Sequence, residues 1–144
     1  MQKILTLLVC YNLMRAGAST VIDVRFYLAQ HELYLKRLKR AIENRKDFNH
    51  KECCRDTKEN CCAFGQTFYR DVMPRIDEFP QHIRDVLLQI EEVHCRFHEI
   101  GKNINTKEPD ENLVKQMQDT SLTLYHLLMK LERMLKGLEE VRYP

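Results

Sequence analysis

Between Phe79 and Ile100 the chain sets an apolar residue at every third or fourth position without a break: Phe79, Ile83, Val86, Ile90, Val93, Phe97, Ile100. That period is one face of an α-helix and does not match the alternation of a half-buried strand. Asp77 is placed to cap this helix, Pro80 lies in its first turn, and Gly101 fits its C-terminal cap. The same spacing recurs earlier at Val21, Val24, Leu28, Leu35, Leu38 and Ile42, widened by Tyr27, Leu33 and Tyr34. His31 fills the position this stripe skips, and a lone histidine there reads as a packed residue rather than a ligand. A short helix carries Phe64, Phe68 and Val72 and should stop or kink at Pro74. The last stripe runs through Leu113, Met117, Leu124, Leu127, Leu131, Met134, Leu138 and Val141, flanked by Leu128 and Leu135. Thr106 is a candidate cap for it, and its length leaves room for a bend at Thr120–Thr123. Four Gly and four Pro in 144 residues, with no alternating run, argue against a sheet. The expectation is all-α: a compact bundle with long crossover connections rather than tight turns.

The first residues suggest a compartment. Met1-Gln2-Lys3, the apolar run Ile4–Cys10 and Ala16-Gly17-Ala18 resemble the parts of a signal peptide, with cleavage after Ala18. The expected organisation is a signal peptide at 1–18 and a single domain at 19–144, long enough to bury a core. Lys3 and Arg15 would leave with the signal, so the 23 Lys+Arg and 21 Asp+Glu of the whole chain would balance in the remainder. A balanced charge gives no reason to expect nucleic acid or an anionic membrane as partner. No second long apolar run is present, so membrane insertion is not expected either.

Five cysteines would remain: the vicinal pairs Cys53-Cys54 and Cys61-Cys62, and Cys95. In a secreted chain they read as disulfide staples for the polar crossover loop at 43–60. Pairing inside a vicinal pair is disfavoured by ring strain. The favoured reading bridges the two pairs and joins the cluster to Cys95, leaving one thiol over. Zinc is not expected at the pairs, whose spacing is not that of C-x-x-C knuckles. His94 and His98, at i and i+4 with Glu91 one turn earlier, are the one metal-like spacing. Cys95 stands where an H-E-x-x-H site needs glutamate, and both histidines flank the apolar stripe, so they read as a solvated face. No metal and no cofactor is therefore expected. There is no glycine-rich phosphate loop and no G-x-S-x-G, so no catalytic residue is assigned and the chain is not read as an enzyme. The basic run Lys36-Arg37-Leu38-Lys39-Arg40 reads as a solvated helix face.

Phe68-Tyr69-Arg70-Asp71-Val72-Met73-Pro74, preceded by Cys61-Cys62-Ala63-Phe64 and followed by Asp77-Glu78-Phe79 and Arg96–Gly101, resembles the interleukin-10 family of helical cytokines over roughly residues 53–101. The resemblance implies a cytokine-like bundle with a disulfide-stapled crossover loop. It also implies a secreted, extracellular ligand that joins cell-surface class II cytokine receptor ectodomains and starts JAK–STAT signalling, as a monomer or an intercalated homodimer. By position in that family, Arg40, Asn44, Arg45, Lys46 and Asp47 are the candidate receptor-binding residues. The competing expectation, from the amphipathic stripes, is a secreted helical carrier of a small apolar ligand.

Overall fold

Asp23 starts the first helix. Its carboxylate accepts the N–H of Phe26 at 3.0 Å, and α1 runs Val24–Glu43. The computed structural model describes residues 22–140; the expected signal segment 1–18, Val21 and Val141 lie outside the described residues. At the other end of α1 the Asn44 N–H bonds Arg40 O at 3.0 Å, Arg45 turns into the left-handed region at φ 54°, and the Lys46 N–H returns to Ala41 O at 3.0 Å. These bonds satisfy carbonyls that a helix end leaves unpaired. A side chain held in that region costs roughly 1 kcal/mol, partly offset by the lower unfolded-state entropy of a non-glycine residue. Arg45→Gly should therefore stabilise the protein slightly, by about 0.5 kcal/mol in urea unfolding. A clear loss of stability would show that the arginine side chain contributes more than its backbone strain costs.

The crossover at 44–62 is largely irregular, with one 3₁₀ turn at Lys58–Asn60. Tyr34 of α1 anchors it: its hydroxyl accepts the Lys51 N–H at 3.1 Å, and Phe48 packs edge-on against its ring at 5.4 Å. The short helix α2, Ala63–Thr67, continues through a π turn at Phe68–Val72 and a 3₁₀ segment at Met73–Glu78. Pro74 does not stop the chain. It falls in the first turn of the 3₁₀ segment, where its missing N–H is not needed.

α3 runs Gln81–Lys102 and α4 runs Glu111–Glu140. Pro80, not Asp77, is the N-cap of α3, and Asn103, not Gly101, is its C-cap. Gly101 is an interior helical residue buried beside Leu38. Thr106 does not cap α4, because its hydroxyl is given to Lys46 O. Asp110 does so instead, accepting the Asn112 N–H at 2.8 Å. α4 is unbroken over about 45 Å. The Thr120 and Thr123 hydroxyls fold back onto the carbonyls of Gln116 and Asp119 at 2.7 and 3.1 Å, so they leave the helical bonding intact where a bend was allowed for.

The short connection at 103–110 lets α4 return along α3, and this is the most extensive helix pair; α1 covers both α2 and α4. The molecule is an all-helical bundle, with no strand among the described residues. Its core is divided. One apolar cluster joins Tyr27, Phe64, Phe68, Val72, Ile83, Ile90, Leu124 and Leu131; a smaller one joins Leu38, Phe97, Ile104 and Met117. Each fully buried side chain of this size stabilises the fold by about 1.5–3 kcal/mol. Near the junction of the two clusters the buried residues are polar: His31, His94, His98, Thr120 and Ser121. The site is built there.

Candidate metal centre

Three chain segments deliver the polar side chains. His94 and His98 share one face of α3 and are 2% and 3% exposed, so the expectation of a solvated face is corrected. The stripe along α3 is wide enough to enclose them. His94 stacks on Phe64 of α2, with ring centres 4.2 Å apart, and meets His98 edge-on at 4.7 Å. Cys62 is the N-cap of α2. Its Sγ lies 3.4 Å from His94 Nε2 and accepts the Gly65 N–H at 3.5 Å. The crossover brings in Cys53, fully buried, whose Sγ accepts the Cys62 N–H at 3.0 Å. One ligand atom from each of Cys53, Cys62, His94 and His98 lies within 4.8 Å of all the others.

The vicinal cysteines divide between inside and outside. Cys53 turns into the core while Cys54 turns out, to be joined to Cys95 of α3 by a disulfide. Cys53, Cys61 and Cys62 are unbridged, so the expected bridge between the two pairs is absent. Their sulfurs are drawn to one another and to the histidines instead. The Cys53 and Cys61 thiols, then the His94 and His98 rings, draw the Cys62 thiol below the ordinary range despite its burial. Burial, and then the neighbouring Cys61 and Cys62, push the Cys53 thiol up. Cys61 is drawn down by Cys53, but Cys62 and burial outweigh this and leave it at about 12.

His98 has its pKa lowered, chiefly by burial, and its Nδ1 is buried with no hydrogen-bond partner. An unpaired buried polar atom costs about 1–3 kcal/mol. A cation that accepts the lone pair of a neutral ring removes that cost. Two cysteine sulfurs and two imidazoles from separate elements form the donor set of tetrahedral zinc, whose ligand atoms stand roughly 3.3–3.8 Å apart. The residues present therefore fit a zinc ion. Glu91, one turn before His94, is not a member: it pairs with Arg55 at 2.6 Å.

His31 borders the same layer from α1. Its Nε2 is 2.8 Å from Ser121 Oγ of α4, and its ring meets Phe97 edge-on at 4.7 Å. Burial, and then His94 and His98, push its pKa down to about 4 from an ordinary 6.5, with Cys62 acting weakly the other way. The unfolded chain binds this proton between those values and the folded chain does not. Stability is thus full above pH 6.5 and is lost as pH falls towards 4, by about 3 kcal/mol in all. Urea unfolding of the metal-free protein across this window should show the decline. His31→Gln should flatten it, leaving what His50 and His98, also lowered by burial, contribute in the same direction; an unchanged slope would remove His31 as its source.

The residues selected for receptor binding lie elsewhere. Arg40 lies in the last turn of α1, the N–H groups of Asn44, Arg45 and Lys46 close the carbonyls of Arg40, Ile42 and Ala41, and Asp47 pairs with Lys107 at 3.3 Å. None of them approaches the buried cluster. The sequence did contain a signal for the centre: His94 and His98 one turn apart, with paired cysteines and a histidine inside an apolar stripe. Local knuckle spacing does not reveal it, because a bundle collects its ligands from separate segments of the chain.

A model of the chemoreceptor zinc-binding domain matches residues 31–105, just over half of the chain, from His31 through the crossover and α2 to the end of α3. No curated protein and no solved structure matches the chain. The matched family is unrelated to the interleukin-10 cytokines, and it corrects that resemblance together with the secreted ligand, the class II receptor partners and the cytokine signalling drawn from it. The short aromatic and acidic segment at 68–74 that carried the resemblance forms the π turn and the start of the 3₁₀ segment, where its aromatic and aliphatic residues pack the core. The secreted, extracellular placement is corrected with it, since the matched domain is one of intracellular signalling proteins. The carrier of an apolar ligand is withdrawn on the same finding. Among the described residues no helix is long and apolar enough to cross a membrane.

Proposed function

From a chain that belongs to the chemoreceptor zinc-binding domain family, we propose a zinc-binding signalling module that acts by binding and not by catalysis. Cys62, His94 and His98 hold the ion, and Cys53 is the fourth donor in reach. His31 is the remaining neutral donor of the layer, and Ser121 fixes its ring. The observation that carries the reading is the convergence of two cysteine sulfurs and two buried imidazoles, one with an unpaired nitrogen, at the junction of two apolar clusters.

A bound zinc ion supplies an electrophilic centre that keeps its thiolate ligand deprotonated and ties separate segments of the chain together. The protein's own residues do the rest. The α2 N-terminus stabilises the Cys62 thiolate through the Gly65 N–H. Phe64 holds the His94 ring flat, and the Phe97 and Tyr34 rings enclose His98. The crossover is also tied to α3 by the Cys54–Cys95 bridge and the Arg55–Glu91 and Lys102–Glu52 pairs, and occupancy of the site adds to how firmly the crossover and α2 sit on α3, which is a means of signalling. Dialysis of the reduced protein against zinc followed by metal analysis tests the reading. Retention of zinc with a rise in the unfolding midpoint is expected, and a reduced, folded protein that retains no zinc overturns it.

A further inference from the structure

A second group of soft donors lies at the mouth of the buried cluster. Cys54 and Cys95 directly follow Cys53 and His94 in the chain, and each is more exposed than its neighbour. Their sulfurs are bridged, and both stand 3.6 Å from one carboxylate oxygen, Glu99 Oε1. A bridged sulfur has no proton to donate, so the carboxylate gains no hydrogen bond from the disulfide form. In the bridged form the ligand atoms of all three side chains already lie within 4.8 Å of one another, and reduction leaves the same side chains as two thiols and a carboxylate. Cys95 and Glu99, at i and i+4, share one face of α3, and the crossover supplies Cys54.

Deprotonated, these groups would be three crowded anions, with Lys102 of the same cleft the cation nearest Glu99. The adjacent cations are committed elsewhere among the described residues, Arg55 to Glu91 and Lys102 to Glu52. Two thiolates and one carboxylate suit a borderline-soft divalent cation of the zinc class. One surface cleft is lined both by Cys53 and His98 of the buried set and by Cys54 and Glu99 of this outer set. The outer group therefore stands on an open approach to the inner one.

We propose that reduced Cys54 and Cys95, with Glu99, form a second zinc-class site at the mouth of the buried centre, and that the disulfide closes it. The inference goes beyond the buried site and takes from that reading only the identity of the ion. A dithiol opens the bridge in two steps. One of its thiolates attacks a bridge sulfur, forming a mixed disulfide and releasing one protein thiolate. The dithiol's second sulfur then displaces the other, leaving as a cyclic disulfide. The protein gains two electrons and two protons, and metal binding later releases those two thiol protons to solvent. The dithiol is the form that a reducing compartment maintains. The number of ions held would then report the thiol state of the protein.

The test measures zinc per chain on the full-length protein. The protein is reduced with dithiothreitol, freed of it under nitrogen, and dialysed against zinc; a second sample keeps the Cys54–Cys95 bridge, as verified by intact mass. Two ions per reduced chain and one per bridged chain are expected. The double variant Cys54→Ser/Cys95→Ser should hold one in either state. Glu99→Gln should weaken the second ion and spare the first. Cobalt titration of reduced Cys62→Ala should still show a thiolate charge-transfer band from the outer pair. A reduced wild-type chain that binds no more zinc than Cys54→Ser/Cys95→Ser overturns the proposal. Loss of the inner ion's dependence on Cys62 would instead overturn the reading of the buried centre, and the difference between wild type and the double variant would still decide the outer one.

Discussion

Cys62→Ala is expected to abolish the zinc-dependent part of the protein's stability. A ligand that binds only the folded state at about a thousand times its Kd stabilises it by about 4 kcal/mol. The wild-type chain should show a gain of that order in urea unfolding when zinc is added, and the variant none. The loss is specific because Cys62 faces His94 at 3.4 Å and is the thiol whose pKa its neighbours draw down, while those of Cys53 and Cys61 are pushed up. Without metal the variant should lose only about 1 kcal/mol, the value of an N-cap, since the Gly65 N–H then lacks its acceptor. His98→Ala should behave similarly with zinc. His94→Ala should cost more without it, because the ring also stacks on Phe64. A Cys62→Ala protein with wild-type zinc content and wild-type stabilisation would sink the assignment.

Gly65→Ala should be the most damaging of the glycine-to-alanine changes among the described residues. A Cβ at that position would stand 1.8 Å from Cys61 Sγ and 3.2 Å from His94 Cε1. Cys61 is 1% exposed and held against Cys53, so its sulfur has nowhere to go without displacing the cluster. Overpacking of this kind costs about 3 kcal/mol, and the shift of His94 should remove zinc binding with it. Gly137→Ala provides the control with the opposite sign. No atom lies within 4 Å of its added Cβ, and it sits inside α4. Alanine there should stabilise by about 1 kcal/mol through helix propensity alone. Thermal unfolding of both variants with and without zinc checks the pair; a Gly65→Ala protein that folds and holds zinc like wild type would show that Cys61 is free to move.

The two glycines illustrate what could be read before the structure. Both lie in helical segments, and nothing local separates them; only the sulfur of Cys61 in the space a methyl group would take makes one indispensable. The helices themselves were legible. The stripes at 79–100 and 113–138 placed α3 and α4 within a few residues, because a 3.6-residue period is a property of neighbours in the chain. Caps were less legible: Asp77, Gly101 and Thr106 all have capping side chains or freedom, yet Pro80, Asn103 and Asp110 hold those positions. Which candidate caps a helix depends on where packing lets it start. Short motifs were the least reliable guide. The segment at 68–74 suggested a cytokine, although its residues have a packing role that many helical proteins could reuse.

The sequence by itself determined an all-helical chain, its apolar faces, and an interruption in each face: His31 in α1, the histidines beside the stripe of α3, and Thr120–Ser121 in α4. It did not determine that these interruptions coincide. His31 and Ser121 are 90 residues apart and hydrogen-bonded, and Cys62 lies 32 residues from the histidine it faces. Periodicity records which face a residue is on, and no local pattern records the register at which one helix settles against another. Packing of the two apolar clusters set that register. It thereby gathered cysteine sulfurs and buried imidazoles that local spacing had read as staples and surface into one centre for a metal ion.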